Sequence, residues 1–274
     1  QIHGPARGDA TAVVGFHESD NIGSMRSLLT KSAKLCSVGA MLLLAGCIQA
    51  PQYDSEFAAQ FERTDQKSDD LFASGYFPKS FGEPIVDYCD FPRGPLPLIG
   101  EVEAEWYPQQ LKAAREPSFF LLSEQKTPPE MAIRFSYIPS FSPSIFVRLH
   151  KDDDGYTLYA KRLSGAGGYE PGSISSSKRI RLSDQQASEL ELLLQREALF
   201  DEPADGCSSG FDGSKWIFET VERQNYTMIK RWSPTEGPAY NLGRYLVELT
   251  GWNFESSCLR PFPYPLSDIE VLCD

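Results

Sequence analysis

The chain has 274 residues and carries 38 acidic against 26 basic side chains, a net charge of −12. Such a surface repels phosphate backbones instead of releasing counterions from them, which argues against nucleic acid as a partner. With three histidines and no CxxC pair, the sequence also offers no metal-ligand spacing and points to no cofactor.

Residues 1–24 contain no Met and match no targeting pattern, so they read as an upstream or non-native segment, with Met25 as the expected start. From Met25 the sequence MRSLLTKSAKLCSVGAMLLLAGC has three zones. Arg26, Lys31 and Lys34 are cationic, Leu35 to Leu44 is apolar, and the small residues Ala45 and Gly46 precede Cys47. The apolar run is too short to span a bilayer core about 30 Å thick. This order resembles the lipobox of bacterial lipoprotein signal peptides. The resemblance implies removal of residues 1–46, lipidation of Cys47 and anchoring through acyl chains worth about 0.8 kcal/mol per buried methylene. Ile48, not aspartate, follows the cysteine, which by the same resemblance permits transfer to the outer membrane; the expected location is that membrane, on the side facing the periplasm. The processed chain loses four basic and three acidic residues, leaving 22 against 35 and a net charge of −13.

The remaining cysteines, Cys89, Cys207, Cys258 and Cys273, form an even set, as expected of an exported chain that forms disulfides. Four cysteines allow three pairings. The preferred one joins Cys258 to Cys273, closing a proline-bearing tail, and leaves Cys89 with Cys207.

Residues 47–100 read as a polar tether, weakly helical over Ser55 to Arg63, followed by a proline-rich extended segment around Cys89. Residues 101–274 then form one domain. A short helix is expected from Tyr107 to Glu116, with Pro108 in its first turn and Pro117 at its end. Strands follow at Met131 to Tyr137, Ile145 to His150 and Tyr156 to Leu163, the last two joined by an Asp-Gly turn. Its three aspartates, Asp152 to Asp154, lack the dozen-residue frame and closing glutamate of a calcium loop. The loop SGAGGYEPG runs from strand to strand and lacks the Lys-Ser or Lys-Thr of a phosphate loop, so it reads as a tight crossover with Tyr169 packed inward.

A strand near Arg179 to Leu182 precedes a helix opened by the capping box of Ser183 and Gln186. A second hairpin, Ser214 to Glu222 with Tyr226 to Trp232, leads to a helix from Pro238 that Gly251 ends. The order of elements describes an α+β fold, a mainly antiparallel sheet with helices packed on one face.

Nucleophilic catalysis needs an activated serine, cysteine or threonine beside a base, and the one histidine of the processed chain, His150, reads as an exposed polar residue on a strand. In the second hairpin, aromatic Trp216, Phe218, Tyr226 and Trp232 alternate with Lys215, Glu219, Lys230 and Arg231. Either the aromatics are core, or Arg148, Trp216, Glu219, Arg231 and Trp232 form an aromatic and cationic binding patch.

The runs WYPQQLKAAREPS, VRLHKDDDGYTLYAKRLSGAGGYEPG and DGSKWIFE followed by RWSP resemble the successive signatures of a family of uncharacterised bacterial proteins, many with lipoprotein signals. The likeness spans residues 105 to 251 and implies no established activity. Family members often carry histidine before the second strand, where this chain has Phe141, Ser142 and Pro143, which weakens histidine chemistry further. Together these features point to a lipid-anchored envelope protein that is a non-enzymatic binding module with an envelope protein as partner, for example an inhibitor or immunity lipoprotein. The alternative is an envelope glycan or peptidoglycan hydrolase using paired carboxylates.

Overall fold

The computed structural model describes residues 70–90, 94–210 and 212–254. The signal segment, Cys47, the first part of the tether, Cys258 and Cys273 lie outside the described residues.

Six strands form one antiparallel sheet: β1 (Met131–Pro139), β2 (Ile145–Asp152), β3 (Gly155–Leu163), β4 (Ile174–Arg181), β5 (Ser214–Glu222) and β6 (Asn225–Trp232), in the order β4-β3-β2-β1-β5-β6. Among the described residues four α-helices accompany it: α1 (Glu101–Ala113), α2 (Phe119–Ser123), α3 (Asp184–Glu197) and α4 (Gly237–Leu249). The α+β class and antiparallel sheet are thus as read from the sequence.

Side chains alternate across the sheet. Ile133, Phe135, Val147, Leu149, Leu158, Trp216 and Phe218 face α3 and α4, meeting Leu190, Leu193, Leu242 and Leu246. Each such aliphatic side chain contributes about 1.5–3 kcal/mol on burial. The opposite residues Ile138, Phe146, Ile217 and Met228 pack on Ala104, Tyr107 and Leu111 of α1 and on Tyr76, Phe77 and Ile99. The expectation of helices on a single face is therefore corrected: α3 and α4 share one face, and α1 with the segment before it takes the other. Both faces of the sheet carry large apolar side chains, so neither can be left in water, although the face under α1 also holds buried charges. By the same packing Tyr76, Phe77, Val86, Cys89, Leu98 and Ile99 are buried, so this part of the expected tether and extended segment packs on the domain. Val86 bridges Leu96 in antiparallel fashion, and Val86, Cys89 and Leu98 form a small cluster of their own.

Helix α1 begins six residues before the expected start. Gly100 precedes it, and the Glu103 carboxylate accepts the Gly100 N–H at 3.2 Å, so Pro108 stands inside the helix. Its ring forfeits the amide that would bond Ala104, while burial of Ala104, Tyr107 and Leu111 on one side carries the helix through. At α3 the capping box forms as read, with the Ser183 hydroxyl accepting from Gln186 N and the Gln186 side chain accepting from Ser183 N. The SGAGGYEPG loop is a strand-to-strand crossover, but Tyr169 is 60% exposed and lies beside Phe141, not inward. The inward position belongs to Gly167: a Cβ there would meet Pro139 O at 2.5 Å, and its carbonyl accepts from Trp106 Nε1 at 2.6 Å and Gln110 Nε2 at 2.9 Å.

Candidate functional site

The register separates the five residues of the expected patch into three places. Glu219, Arg134, Arg148, Tyr159 and Arg179 lie on one rung running across β5, β1, β2, β3 and β4. Arg134, Arg148 and Glu219 on it are wholly buried. The Arg134 guanidinium donates to Glu219 (Nε to Oε2, 2.8 Å) and to the Pro117 carbonyl, with its Cζ 4.5 Å from the Phe119 ring centroid. Glu219 also accepts the Tyr226 hydroxyl at 2.9 Å. From the α1–α2 turn, Glu116 accepts from Arg148 Nε at 2.9 Å and pairs with Lys161 at 3.1 Å. Lys161 Nζ donates to Arg115 O, and the Tyr76 hydroxyl donates to Glu116 O. Burial acts to raise the Glu116 pKa, but Lys161, Arg148 and Arg134 outweigh it and hold the carboxyl below its ordinary range. This network ties the Glu-Pro-Ser turn to the sheet, and a patch role for Arg148 and Glu219 is corrected accordingly: a second layer covers their face.

His150 belongs to the same network. A guanidinium can only donate, so Nε2 accepts from Arg148 Nη1 at 2.7 Å and the neutral ring carries its proton on Nδ1. Burial, then the Arg148 charge, pushes its pKa down to about 3, so it is not the exposed polar residue read from the sequence.

Trp216 occupies the second place, the core beneath α4. Its indole N–H donates to Ser214 Oγ at 2.8 Å, and Gly243 of α4 admits the ring: a Cβ there would stand 2.5 Å from Trp216 Cζ3. It too is core and not patch.

Arg231 and Trp232 hold the third place, half-buried at the sheet edge, where they line a cleft of about 280 Å³ with Glu103, Asp205, Lys215 and Lys230. The floor is a linked ion network. Glu103 bonds Lys215 (3.2 Å) and Lys230 (3.1 Å), and Lys230 also bonds Asp205 at 3.1 Å. The Tyr107 hydroxyl donates to Glu103 at 2.7 Å. Burial raises the Glu103 pKa, yet Lys230 and Lys215 prevail and the carboxyl sits below its ordinary value. Tyr107 is pushed well above the ordinary phenol range by burial and by Glu103.

Lys215 Nζ lies 5.0 Å from the Trp232 ring centroid, and Arg231 bonds Glu202 at 2.7 Å. Leu96 and Pro97 form the apolar wall. Leu96 on this wall is itself 38% exposed, and Ile85 and Tyr88 in the segment before it are exposed as well.

The residues Glu202–Gly210 form a strap along the outer edge of β6. Lys230 N donates to Ala204 O (2.7 Å), Gly206 N to Lys230 O (3.2 Å) and Asp205 N to the Tyr88 hydroxyl (2.7 Å). Cys207 forms a disulfide with Cys89, Cα atoms 5.4 Å apart, so two of the four expected cysteines pair as anticipated. Gly206 and Gly210 let the strap lie close, since a Cβ at either would meet Arg231 Cδ or Trp232 Nε1 at 2.7 Å. Lys215, Lys230, Glu103 and Asp205 were not in the expected site; the Lys215 and Lys230 alternation around Trp216 and Trp232 was the available signal. The chain matches no model of a known protein family and no curated protein.

Proposed function

We propose that this chain is a lipid-anchored binding module of the bacterial envelope, held at the membrane through Cys47, that engages a protein partner through the cleft at β6. The observation that carries this reading is the half-buried pair Arg231 and Trp232 in a cleft whose apolar wall includes the exposed Leu96. Tryptophan, tyrosine and arginine in such settings dominate binding energies at protein interfaces. The lipobox residues and the resemblance to lipoprotein-bearing bacterial proteins support the address.

The site's chemistry favours binding over acid–base catalysis. A glycan hydrolase needs a carboxyl held protonated beside a second one. In this cleft Glu103 and Asp205 both bond Lys230, and Glu103 is shifted toward the ionised form.

The test uses the full processed chain and envelope extracts of the native host. Trp232→Ala and Lys215→Ala are expected to weaken a saturable complex about tenfold or more, with unchanged circular dichroism. Retention of full affinity in both variants would refute the assignment of the cleft.

A further inference from the structure

Resting on the reading of this cleft as the binding site, we infer that the Cys89 and Cys207 disulfide is a redox latch that sets how open the cleft is. The strap's two halves are secured differently. Up to Gly206 it is held by backbone bonds of Ala204 and Gly206 to Lys230, by Asp205 to Lys230, and by Glu202 to Arg231. Beyond Gly206, Ser208, Ser209 and Gly210 line or overlie the cleft, and what ties this part to the opposite wall is the covalent bond from Cys207 to Cys89.

Cys207 sits in the left-handed region at φ +60°, which a side chain bearing a Cβ disfavours, and its N–H is turned back onto Asp205 Oδ1 at 2.7 Å. The disulfide and the Asp205 contact together hold this disfavoured conformation. Neither cysteine lines the cleft itself, but each adjoins it: Cys207 lies between the lining residues Asp205 and Ser208, and Cys89 packs on Leu98, which follows the lining residues Leu96 and Pro97.

The chemistry requires a dithiol reductant. It gives two electrons and two protons; the S–S bond breaks, Cys89 and Cys207 become thiols, and the reductant closes to its own disulfide. Released, residues 207–210 relax out of the left-handed turn and uncover the edge of the Trp232 indole, while the first half of the strap stays on β6. The oxidised form is the preorganised one, and the reduced form presents a wider, less ordered cleft.

The experiment needs no partner, so its outcome is independent of the binding reading. Collisional quenching by acrylamide is measured on the full processed chain before and after dithiothreitol, with Trp232→Phe to isolate Trp232 from the other tryptophans. Reduction is expected to raise Trp232 quenching about twofold by local opening, to deprotect the amides of residues 207–210 and to leave Lys230 N protected. A Cys89→Ser/Cys207→Ser variant should show the open values without reductant and no further change on adding it, which separates this bond from any other disulfide. Unchanged Trp232 quenching with both thiols confirmed free would overturn the inference. So would simultaneous loss of Lys230 protection, which would make the bond a global staple and not a latch. If the latch holds while Trp232→Ala leaves the complex intact, the binding assignment fails alone.

Discussion

Arg134 and Arg148 stand directly opposite one another on adjacent strands, both wholly buried. Like charges in that position destabilise a sheet unless something neutralises them. Here Glu219 arrives from the neighbouring strand and Glu116 from a turn one layer above, and the turn is thereby bound to the sheet.

Removing one partner of a buried pair leaves an uncompensated charge at a cost of about 3–5 kcal/mol. Glu116→Ala is therefore expected to destabilise the domain by about that amount, read from the urea midpoint at constant slope. Glu116→Gln keeps the hydrogen-bond acceptor and should cost less. A loss no larger than that of a surface substitution for Glu116→Ala would contradict the role given to this carboxylate.

Stability should fall in two acid windows. His150 has a folded pKa of about 3 against an ordinary 6.5. The unfolded chain therefore binds its proton first, so stability is complete above about 6.5 and is lost as pH falls toward 3. The slope from this group approaches but does not exceed about 1.4 kcal/mol per pH unit. Glu116 and Glu103, both lowered, contribute stability that is present above the ordinary value of 4.5 and lost as pH falls below it through their folded values. Denaturant midpoints at pH 7, 6 and 5 test the first window; His150→Gln, which keeps an acceptor for Arg148 without titrating there, should flatten it.

Gly243→Ala sets two effects against each other. Alanine improves helix propensity by about 1 kcal/mol, but its Cβ would stand 2.5 Å from Trp216 Cζ3 and 3.0 Å from Phe135 Cζ. The ring is locked by its own bond to Ser214 and cannot yield cheaply, so the crowding term of about 1–3 kcal/mol prevails. The thermal midpoint should drop; a rise would show that Trp216 can move aside.

The proposed lipid anchor makes a separate prediction. Cys47→Ser should shift the protein from the membrane to the soluble fraction and abolish fatty-acid labelling, since two or more acyl chains are needed for firm retention. Membrane retention without label would place the attachment elsewhere.

Local signals were legible where local physics decides. The Ser183 and Gln186 box, the two hairpins and the helix after Pro238 follow from capping, turn chemistry and period. What escaped depended on the other layer. Pro108 looked like a first-turn residue because the burial that carries α1 through it comes from the sheet. Arg148 and Glu219 looked like surface charges because alternation along a strand does not reveal whether its polar face is covered. The stretch holding Tyr76, Phe77, Leu98 and Ile99 looked like linker because prolines mark irregular backbone, which is compatible with burial of those side chains. Arg231 and Trp232 did reach a surface cleft, through the strand edge and not through an open face.

A partner bound at the proposed site contacts the β6 cleft. The most direct measurement places a photo-crosslinking side chain at Leu96, on the cleft wall, or at Leu192, exposed on α3, and irradiates intact cells. The account predicts one discrete crosslinked species from position 96, absent from position 192 and lost in the Trp232→Ala background. Equal crosslinking from both positions, or a species that survives the loss of Trp232, would contradict it.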